Sequence, residues 1–125
     1  DTINVLSANF SRTGYGILAL NTSYKNDSIK SIQIGKEKPL KGDSLYIIGC
    51  EYGDFQCSQK IYAGVFTHNM RHVLNITLND SINISGFSGA PIVNCKNKVV
   101  GLVGGASNYG GKTIVFGGSF VFPRN

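Results

Sequence analysis

The stretch that decides the fold is N-I-S-G-F-S-G-A-P-I-V, residues 83–93, in which Ser88 stands between glycines directly before an apolar segment. Glycines at such positions allow the backbone to turn sharply, because they adopt conformations that other residues avoid. The turn would direct the amide N–H groups of Gly86 and Ser88 towards one point, where they would stabilise a developing oxyanion. Ser88 is therefore a candidate nucleophile for acyl transfer. An inert serine in a tight turn is the alternative interpretation.

The residues after Ser88 distinguish between two kinds of serine site. The nucleophile elbow of the α/β-hydrolases has the pattern G-x-S-x-G and is followed by a helix. Here Ala90 occupies the position of the last glycine, and Pro91 opens a β-branched run that cannot begin that helix. Residues 92–105 then have the pattern of a strand, a polar hairpin, a second strand and a pair of glycines. We therefore exclude an α/β-hydrolase.

Composition and periodicity predict an all-β domain. Of the 125 residues, 42% are hydrophobic and 15% are charged, which excludes intrinsic disorder, and 16 are glycine, which suits many tight turns. No helical period persists and no apolar run is long enough to span a bilayer, whereas β-branched and aromatic runs recur between turn residues at roughly ten-residue spacing. The expected strands are residues 3–6, 15–20, 31–34, 44–49, 60–68, 72–76, 90–94, 98–103 and 113–122.

The net charge is +5, and the positive residues are concentrated in one segment, because five lysines lie from residue 25 to residue 41. Such a cluster indicates either a patch for an anionic partner or a solvated edge that protects strands from unwanted pairing. No aromatic residue follows Tyr24 in this stretch to stack on a base, so a nucleic-acid partner is disfavoured. A membrane partner is not expected either.

Cysteines and sequons bear on cofactors and on compartment. Three cysteines leave at least one thiol without a partner in the chain, and the spacing of Cys50 and Cys57 suits a bridge across a hairpin. No C-x-x-C pair, carboxylate cluster or nucleotide-binding glycine pattern is present, so we expect no metal and no cofactor. Six sequons exceed a chance expectation of about two, which indicates either a secretory route or an asparagine-rich composition that creates sequons by chance. The sequons begin at Asn9, Asn21, Asn26, Asn75, Asn79 and Asn83.

The serine stretch and the segments around it resemble the chymotrypsin-like (trypsin-fold) serine proteases. In that family the pattern G-x-S-G-G-P is followed by a hydrophobic strand, a short hairpin and the pattern V-V-G-hydrophobic. Residues 86–103 are similar to this order. Residues 40–49 and 61–66 are similar to the family's "GD…VxxIG" and "VTxGIVS" strands, and residues 80–83 to its D-A-A-I-N stretch. The resemblance spans roughly residues 15–123, and it is stronger to the HtrA-type branch and its peroxisomal trypsin-like relatives than to digestive trypsins.

The resemblance implies an all-β fold with two parts. Residues 41–125 would form the C-terminal trypsin-like antiparallel β-barrel. Residues 1–40 would supply the terminal strands of an incomplete N-terminal barrel and the connection between the barrels. The compartment stays open, since the sequons allow secretion while the odd cysteine count and the resemblance allow an intracellular organelle.

The resemblance also assigns roles to residues of a serine endopeptidase that acts on an extended peptide or protein. Ser88 would be the nucleophile, and the N–H groups of Gly86 and Ser88 the oxyanion hole. Phe87 replaces the Asp that in trypsins pairs with a freed N-terminus, so activation by that ion pair is not expected. The residues assigned to substrate binding are Gly104, Gly105 and Ala106 along the peptide, Ile82 at the floor of an apolar specificity pocket and Gly118 at its far wall. Core packing is the alternative role of Ile82.

By the same comparison the catalytic triad is incomplete. Gly16 occupies the position of the family's Asp and cannot orient an imidazole, while His68 and His72 fall on a loop far from the nucleophile, where we expect surface residues. Two explanations compete: a separate or removed N-terminal barrel supplies the histidine, or the triad has decayed and a pseudoprotease binds peptides or proteins. A structural β-domain of a secreted or viral glycoprotein is a third hypothesis, which rests on the sequons alone.

Overall fold

The computed structural model describes residues 3–10 and 18–122, which divide into two compact units, one ending at Ser31 and the other beginning at Ile32. Within these residues no helix has the length and apolarity needed to cross a bilayer. The strands are β1 (Val5–Phe10), β2 (Leu18–Thr22), β3 (Ser44–Gly49), β4 (Lys60–Met70), β5 (Val73–Leu78), β6 (Pro91–Val93), β7 (Val99–Tyr109) and β8 (Lys112–Ser119).

The second unit is a closed antiparallel barrel with the strand order β3-β4-β5-β8-β7-β6. Side chains on β3 and β8 alternate between the inside and the outside of the barrel, as on β3, where Leu45 and Ile47 are buried and Ser44 is exposed. This alternation fills the barrel with apolar side chains, which stabilises it by removing their surface from water. The all-β fold predicted from the sequence is confirmed, and its barrel is closed. The buried core consists of Leu45, Ile47, Phe66, Leu74, Ile76, Leu78, Phe87, Ile92, Val100, Val103, Val115 and Val121.

The first unit contains the hairpin of β1 and β2, whose register runs from Val5 opposite Thr22 to Phe10 opposite Leu18. Ile3, Val5 and Leu6 are exposed in this unit. A two-stranded ribbon is marginally stable by itself, because it has little apolar surface to bury. The predicted strand over residues 3–6 begins later, at Val5, and the first residues of the predicted strand 15–20 lie outside the described residues.

The strand predicted over residues 31–34 is wrong. Only Ile34 forms a bridge, a parallel one to Val99. Val99 donates its N–H to Gln33 at 2.8 Å and accepts that of Gly35 at 2.7 Å, so the backbone contact is limited to this point. Ile32 and Ile34 are exposed, which means that their alternation did not mark a buried face.

Strand β7 is longer than the predicted segment 98–103, because its glycines extend the ladder instead of ending it. Pairing with β8 continues through an irregularity between Val103 and Gly105 to the end of the hairpin. The predicted turn lies at Gly110 and Gly111, which have φ values of 59° and 76°. Two consecutive positive φ values are typical of the tight turns that match the twist of a hairpin.

A disulfide closes the loop between β3 and β4. Cys50 and Cys57 are bonded, as their spacing allowed, and Cys95 is a free, exposed thiol. A short closed loop has fewer conformations in the unfolded chain, which stabilises the folded state.

Alkylation of the folded protein with iodoacetamide should therefore add one group, on Cys95, and reduction under denaturing conditions should raise the number to three. Intact mass and peptide mapping would measure this. Alkylation of Cys50 or Cys57 without reductant would contradict the bridge.

The substitution Gly101→Ala should destabilise the barrel by about 1 to 3 kcal/mol, since overpacking forces the backbone or its neighbours to move. A Cβ at Gly101 would overlap the carbonyl oxygen of Gly118 and lie 3.1 Å from Cδ1 of Leu74. Gly105→Ala, on the same strand, is the matched control, because no atom lies within 4 Å of its added Cβ. Urea unfolding of both variants would measure the difference, and equal midpoints would contradict the prediction.

Candidate active site

Ser88 lies in the loop that connects β5 to β6, on two successive tight turns. Gly86 and Gly89 have φ values of 85° and 90°, in the left-handed region that favours glycine. The N–H of Phe87 donates to the carbonyl of Ile84 at 3.1 Å, and that of Ala90 donates to the carbonyl of Phe87 at 2.8 Å. We call residues 84–90 the serine turn. Its geometry leaves Ser88 exposed between the two glycines.

Three amides of the serine turn have no acceptor among the described residues, those of Ile84, Gly86 and Ser88. In the part of the chain that the structure describes, the N–H groups of Gly86 and Ser88 donate to no protein oxygen, whereas those of residues 85, 87, 89 and 90 all do. The N–H groups of Gly86 and Ser88 lie on either side of Phe87, and two unbonded donors so close together are suited to bind an oxygen that gains negative charge. The Ser88 hydroxyl also has no hydrogen-bond partner among the described residues, so no general base contacts it there.

The serine turn is anchored by Phe87, whose side chain is 2% exposed. Its ring meets that of Tyr62 edge to face, with centroids 5.6 Å apart. A Cβ on Gly49 would lie 2.9 Å from Cε2 of Phe87, so the ring needs glycine at that point of β3. Apolar burial therefore holds the turn, and no ion pair is needed at Phe87.

A second anchor joins the serine turn to β7. Gly89 donates its N–H to the carbonyl of Val103 at 2.7 Å, and Val103 donates its N–H to Ala90 at 2.9 Å. Strand β6 pairs with β7 only as far as Leu102. Among the described residues, no strand pairs with β7 on this side beyond that point, although β8 continues on the other side. The free edge begins at Gly104 and includes the predicted peptide-binding residues Gly105 and Ala106.

The structure brings Ile82 together with Thr113. The N–H of Ile82 donates to Oγ1 of Thr113 at 3.1 Å, and that hydroxyl lies 3.0 Å from Oδ1 of Asn108. Ile82 is half-buried and packs against the core. Gly118 lies five residues further along β8, about 16 Å in an extended strand, where it pairs with Val73 and Leu102. The signal for Thr113 in the sequence is weak: it is a hydroxyl residue at the start of an apolar strand.

The loop closed by the Cys50–Cys57 disulfide borders the serine turn. Cδ2 of Tyr52 lies 3.8 Å from the position that a Cβ on Gly86 would occupy. Burial raises the pKa of Tyr62, which contacts the Phe87 ring, and the negative charges of Glu51 and Asp54 raise that pKa further. Sequence reasoning did not find Tyr52, because its contact with Gly86 joins segments that are distant in the chain.

Neither histidine forms a hydrogen bond with Ser88 in the described residues. His68 is exposed, as expected, and its Nδ1 lies 3.1 Å from Oγ1 of Thr67. His72 is half-buried, contrary to expectation, because Ser119 donates its N–H to the carbonyl of His72 and so draws the turn onto β8. Nδ1 of His72 is buried without a partner among these residues. Gly16, the position of the missing carboxylate, lies outside the described residues.

The sequons differ in accessibility. Asn75 is 6% exposed, and its side-chain amide donates to the carbonyl of His68 at 3.5 Å. A glycan on Asn75 is therefore incompatible with the folded barrel. The exposed sequon asparagines are Asn21, Asn26, Asn79 and Asn83, whereas the side chain of Asn9 lies outside the described residues.

The substitution Phe87→Ala should destabilise the protein by about 3 to 5 kcal/mol, because it removes the buried ring that anchors the serine turn. Phe55→Ala makes the same chemical change at a ring that is fully exposed, so it should leave the free energy of unfolding nearly unchanged. Chemical unfolding of both variants would test this. A Phe87→Ala variant as stable as Phe55→Ala would contradict the role of the ring as an anchor.

The sequence of the chain matches a known protein family. Residues 2–102, most of the chain, match the trypsin-like peptidase domain. The match includes the serine turn and ends on β7 at Leu102, so it does not cover the free edge that begins at Gly104. No curated protein sequence matches the chain significantly. On the family match, the chain belongs to the trypsin-like peptidase domain family.

Proposed function

We propose that the chain is the C-terminal portion of a trypsin-fold serine endopeptidase of the HtrA-type branch, with Ser88 as nucleophile. The N–H groups of Gly86 and Ser88 form its oxyanion hole. The observation that carries the proposal is the pair of amides, those of Gly86 and Ser88, that flank the buried Phe87 and have no acceptor among the described residues. Membership of the trypsin-like peptidase domain family supports the same chemistry.

In the proposed reaction an extended peptide binds along the free edge of β7. Gly104, Gly105 and Ala106 form antiparallel backbone hydrogen bonds with it, which place the scissile carbonyl beside Ser88. Ser88 Oγ attacks the carbonyl carbon, and the two N–H groups stabilise the resulting oxyanion, each by roughly 3 kcal/mol. A general base accepts the Oγ proton and returns it to the leaving amine.

The specificity pocket of the proposed enzyme is apolar. Ile82 forms its floor, and the fully buried Thr113 holds that floor in place by accepting the Ile82 N–H. An apolar floor offers no charge to pair with Arg or Lys. A medium-sized hydrophobic side chain is therefore the preferred residue before the scissile bond.

The histidine of the proposed enzyme comes from an N-terminal barrel, either on the same polypeptide or on a second chain. The absence of a base at the Ser88 hydroxyl, within the described residues, supports an external source. The exposure of Ile3, Val5 and Leu6 in the hairpin unit supports a partner as well, since a two-stranded ribbon needs further apolar packing to be stable. Residues 1–40 then belong to that first barrel and to the connection.

A pseudoprotease is the second candidate function, and Gly16 at the position of the catalytic Asp favours it. Such a protein would bind extended peptides along the same edge of β7 without cleaving them. Loss of the orienting carboxylate alone lowers kcat by about 10⁴ in enzymes of this type.

Labelling with a fluorophosphonate probe, read by intact mass, separates the two functions. With the N-terminal portion added, we expect one adduct on the wild-type chain and none on Ser88→Ala. Ser85→Ala is the matched control, because Ser85 is exposed on the same turn and has no role in the proposed reaction. An adduct on the chain alone would place the base within it.

No adduct under either condition would overturn the endopeptidase and favour the pseudoprotease. Binding of an extended peptide with equal affinity to wild type and Ser88→Ala would then support that second function.

A further inference from the structure

The disulfide-closed loop of residues 50–57, here called the aromatic loop, carries two exposed rings, those of Tyr52 and Phe55, and Tyr52 lies beside the serine turn. We infer that this loop is the subsite for the leaving side of the substrate, where it selects an apolar side chain followed by a basic one. This inference rests on the proposed function, because its occupant is the polypeptide that Ser88 would attack. It adds a substrate preference to that function.

Two contacts place the aromatic loop, one at the residue directly before it and one within it. Gly49, directly before the loop, packs against the ring of Phe87, and a Cβ there would lie 2.9 Å from Cε2. Tyr52, within the loop, has Cδ2 at 3.8 Å from the place of a Cβ on Gly86. The aromatic loop therefore borders the Gly86 side of the serine turn.

The direction of the substrate follows from the opposite side of the serine turn. Gly89 and Ala90 are hydrogen-bonded to Val103, and the free edge of β7 begins directly after that residue. The acyl half of the peptide lies along this edge in the proposed function. An extended chain that passes Ser88 then continues away from β7, towards Gly86 and the aromatic loop.

The aromatic loop has the chemistry of an apolar recognition surface. Tyr52 is 73% exposed and Phe55 is fully exposed. A single exposed apolar side chain needs no explanation, whereas two on one short loop beside a candidate site indicate an interaction surface.

The aromatic loop is also held in one conformation. The Cys50–Cys57 bond closes it, and the Asp54 carboxylate accepts the N–H groups of Gln56 at 3.2 Å and Ser58 at 2.9 Å. A preorganised surface loses little conformational entropy when a ligand binds. The rings are therefore presented without first having to be ordered.

The charge of the aromatic loop is opposite to that of the whole chain. It carries Glu51 and Asp54 and neither Lys nor Arg, although the net charge of the protein is +5. The field of both carboxylates reaches Tyr62, whose pKa they raise in addition to the effect of burial. A positively charged residue beside the apolar one is thus attracted to this part of the surface.

Fluorescence anisotropy with labelled peptides tests the inference on the full chain carrying Ser88→Ala, which prevents cleavage. The peptides are about ten residues long, share a valine-ending acyl half, and continue with Leu-Lys, Ser-Lys or Leu-Glu. We expect the Leu-Lys peptide to bind about tenfold more tightly than the Ser-Lys peptide, because its leucine is buried against the rings. The Leu-Glu peptide should bind more weakly than the Leu-Lys peptide.

Adding Tyr52→Ala or Phe55→Ala should abolish the preference for leucine, and adding Glu51→Gln should reduce the preference for lysine. Tyr109→Ala is the matched control, since Tyr109 is 79% exposed on the β7–β8 hairpin and should leave both preferences unchanged. Equal affinities for the three peptides, a preference that survives both aromatic substitutions, or no binding of any peptide would overturn the inference.

Failure of the proposed function is measured separately. Absence of a fluorophosphonate adduct on Ser88, together with a leucine preference that depends on Tyr52, would overturn the chemistry and retain the subsite. A Ser88 adduct without any preference among the three peptides would retain the chemistry and overturn the subsite.

Discussion

The candidate site depends on the burial of one aromatic ring. Phe87 is the side chain between the two amides that would bind an oxyanion, and its ring is enclosed by Gly49 and Tyr62. Because the ring belongs to the barrel core, the backbone on either side of it is held by the same apolar packing that stabilises the fold. The stability of the barrel and the geometry of the serine turn thus depend on the same apolar packing. A change at Gly49 would affect both.

The barrel also determines where a ligand can bind. Closure of six strands satisfies most backbone groups, but β6 is only three residues long and β7 has eleven. The difference in length leaves the β6 side of β7 open from Gly104 onwards, directly after the residue that is bonded to the serine turn. An edge of this kind attracts an extended peptide, because it offers unpaired N–H and C=O groups in register.

Glycine has different roles at different points of this structure. At Gly86 and Gly89 it permits the positive φ values of the serine turn. At Gly101 it allows β7 to approach the carbonyl of Gly118 closely. The first role concerns the site and the second concerns closure of the barrel, so a high glycine content by itself does not reveal which glycines carry function.

The sequence alone determined the all-β class and the serine turn, because alternation along a strand and a serine between glycines are local patterns. Strand β3 was predicted with its observed bounds for this reason. The segment 31–34 has the same local alternation, yet it forms only one bridge, since pairing depends on which partner is available in space.

Tertiary structure decided which distant residues surround the candidate site and which polar residues are buried. It brought Thr113 to Ile82 and Tyr52 to Gly86, and it buried Asn75. Each of these depends on contacts between segments far apart in the chain, which no local pattern encodes and only closure of the barrel creates.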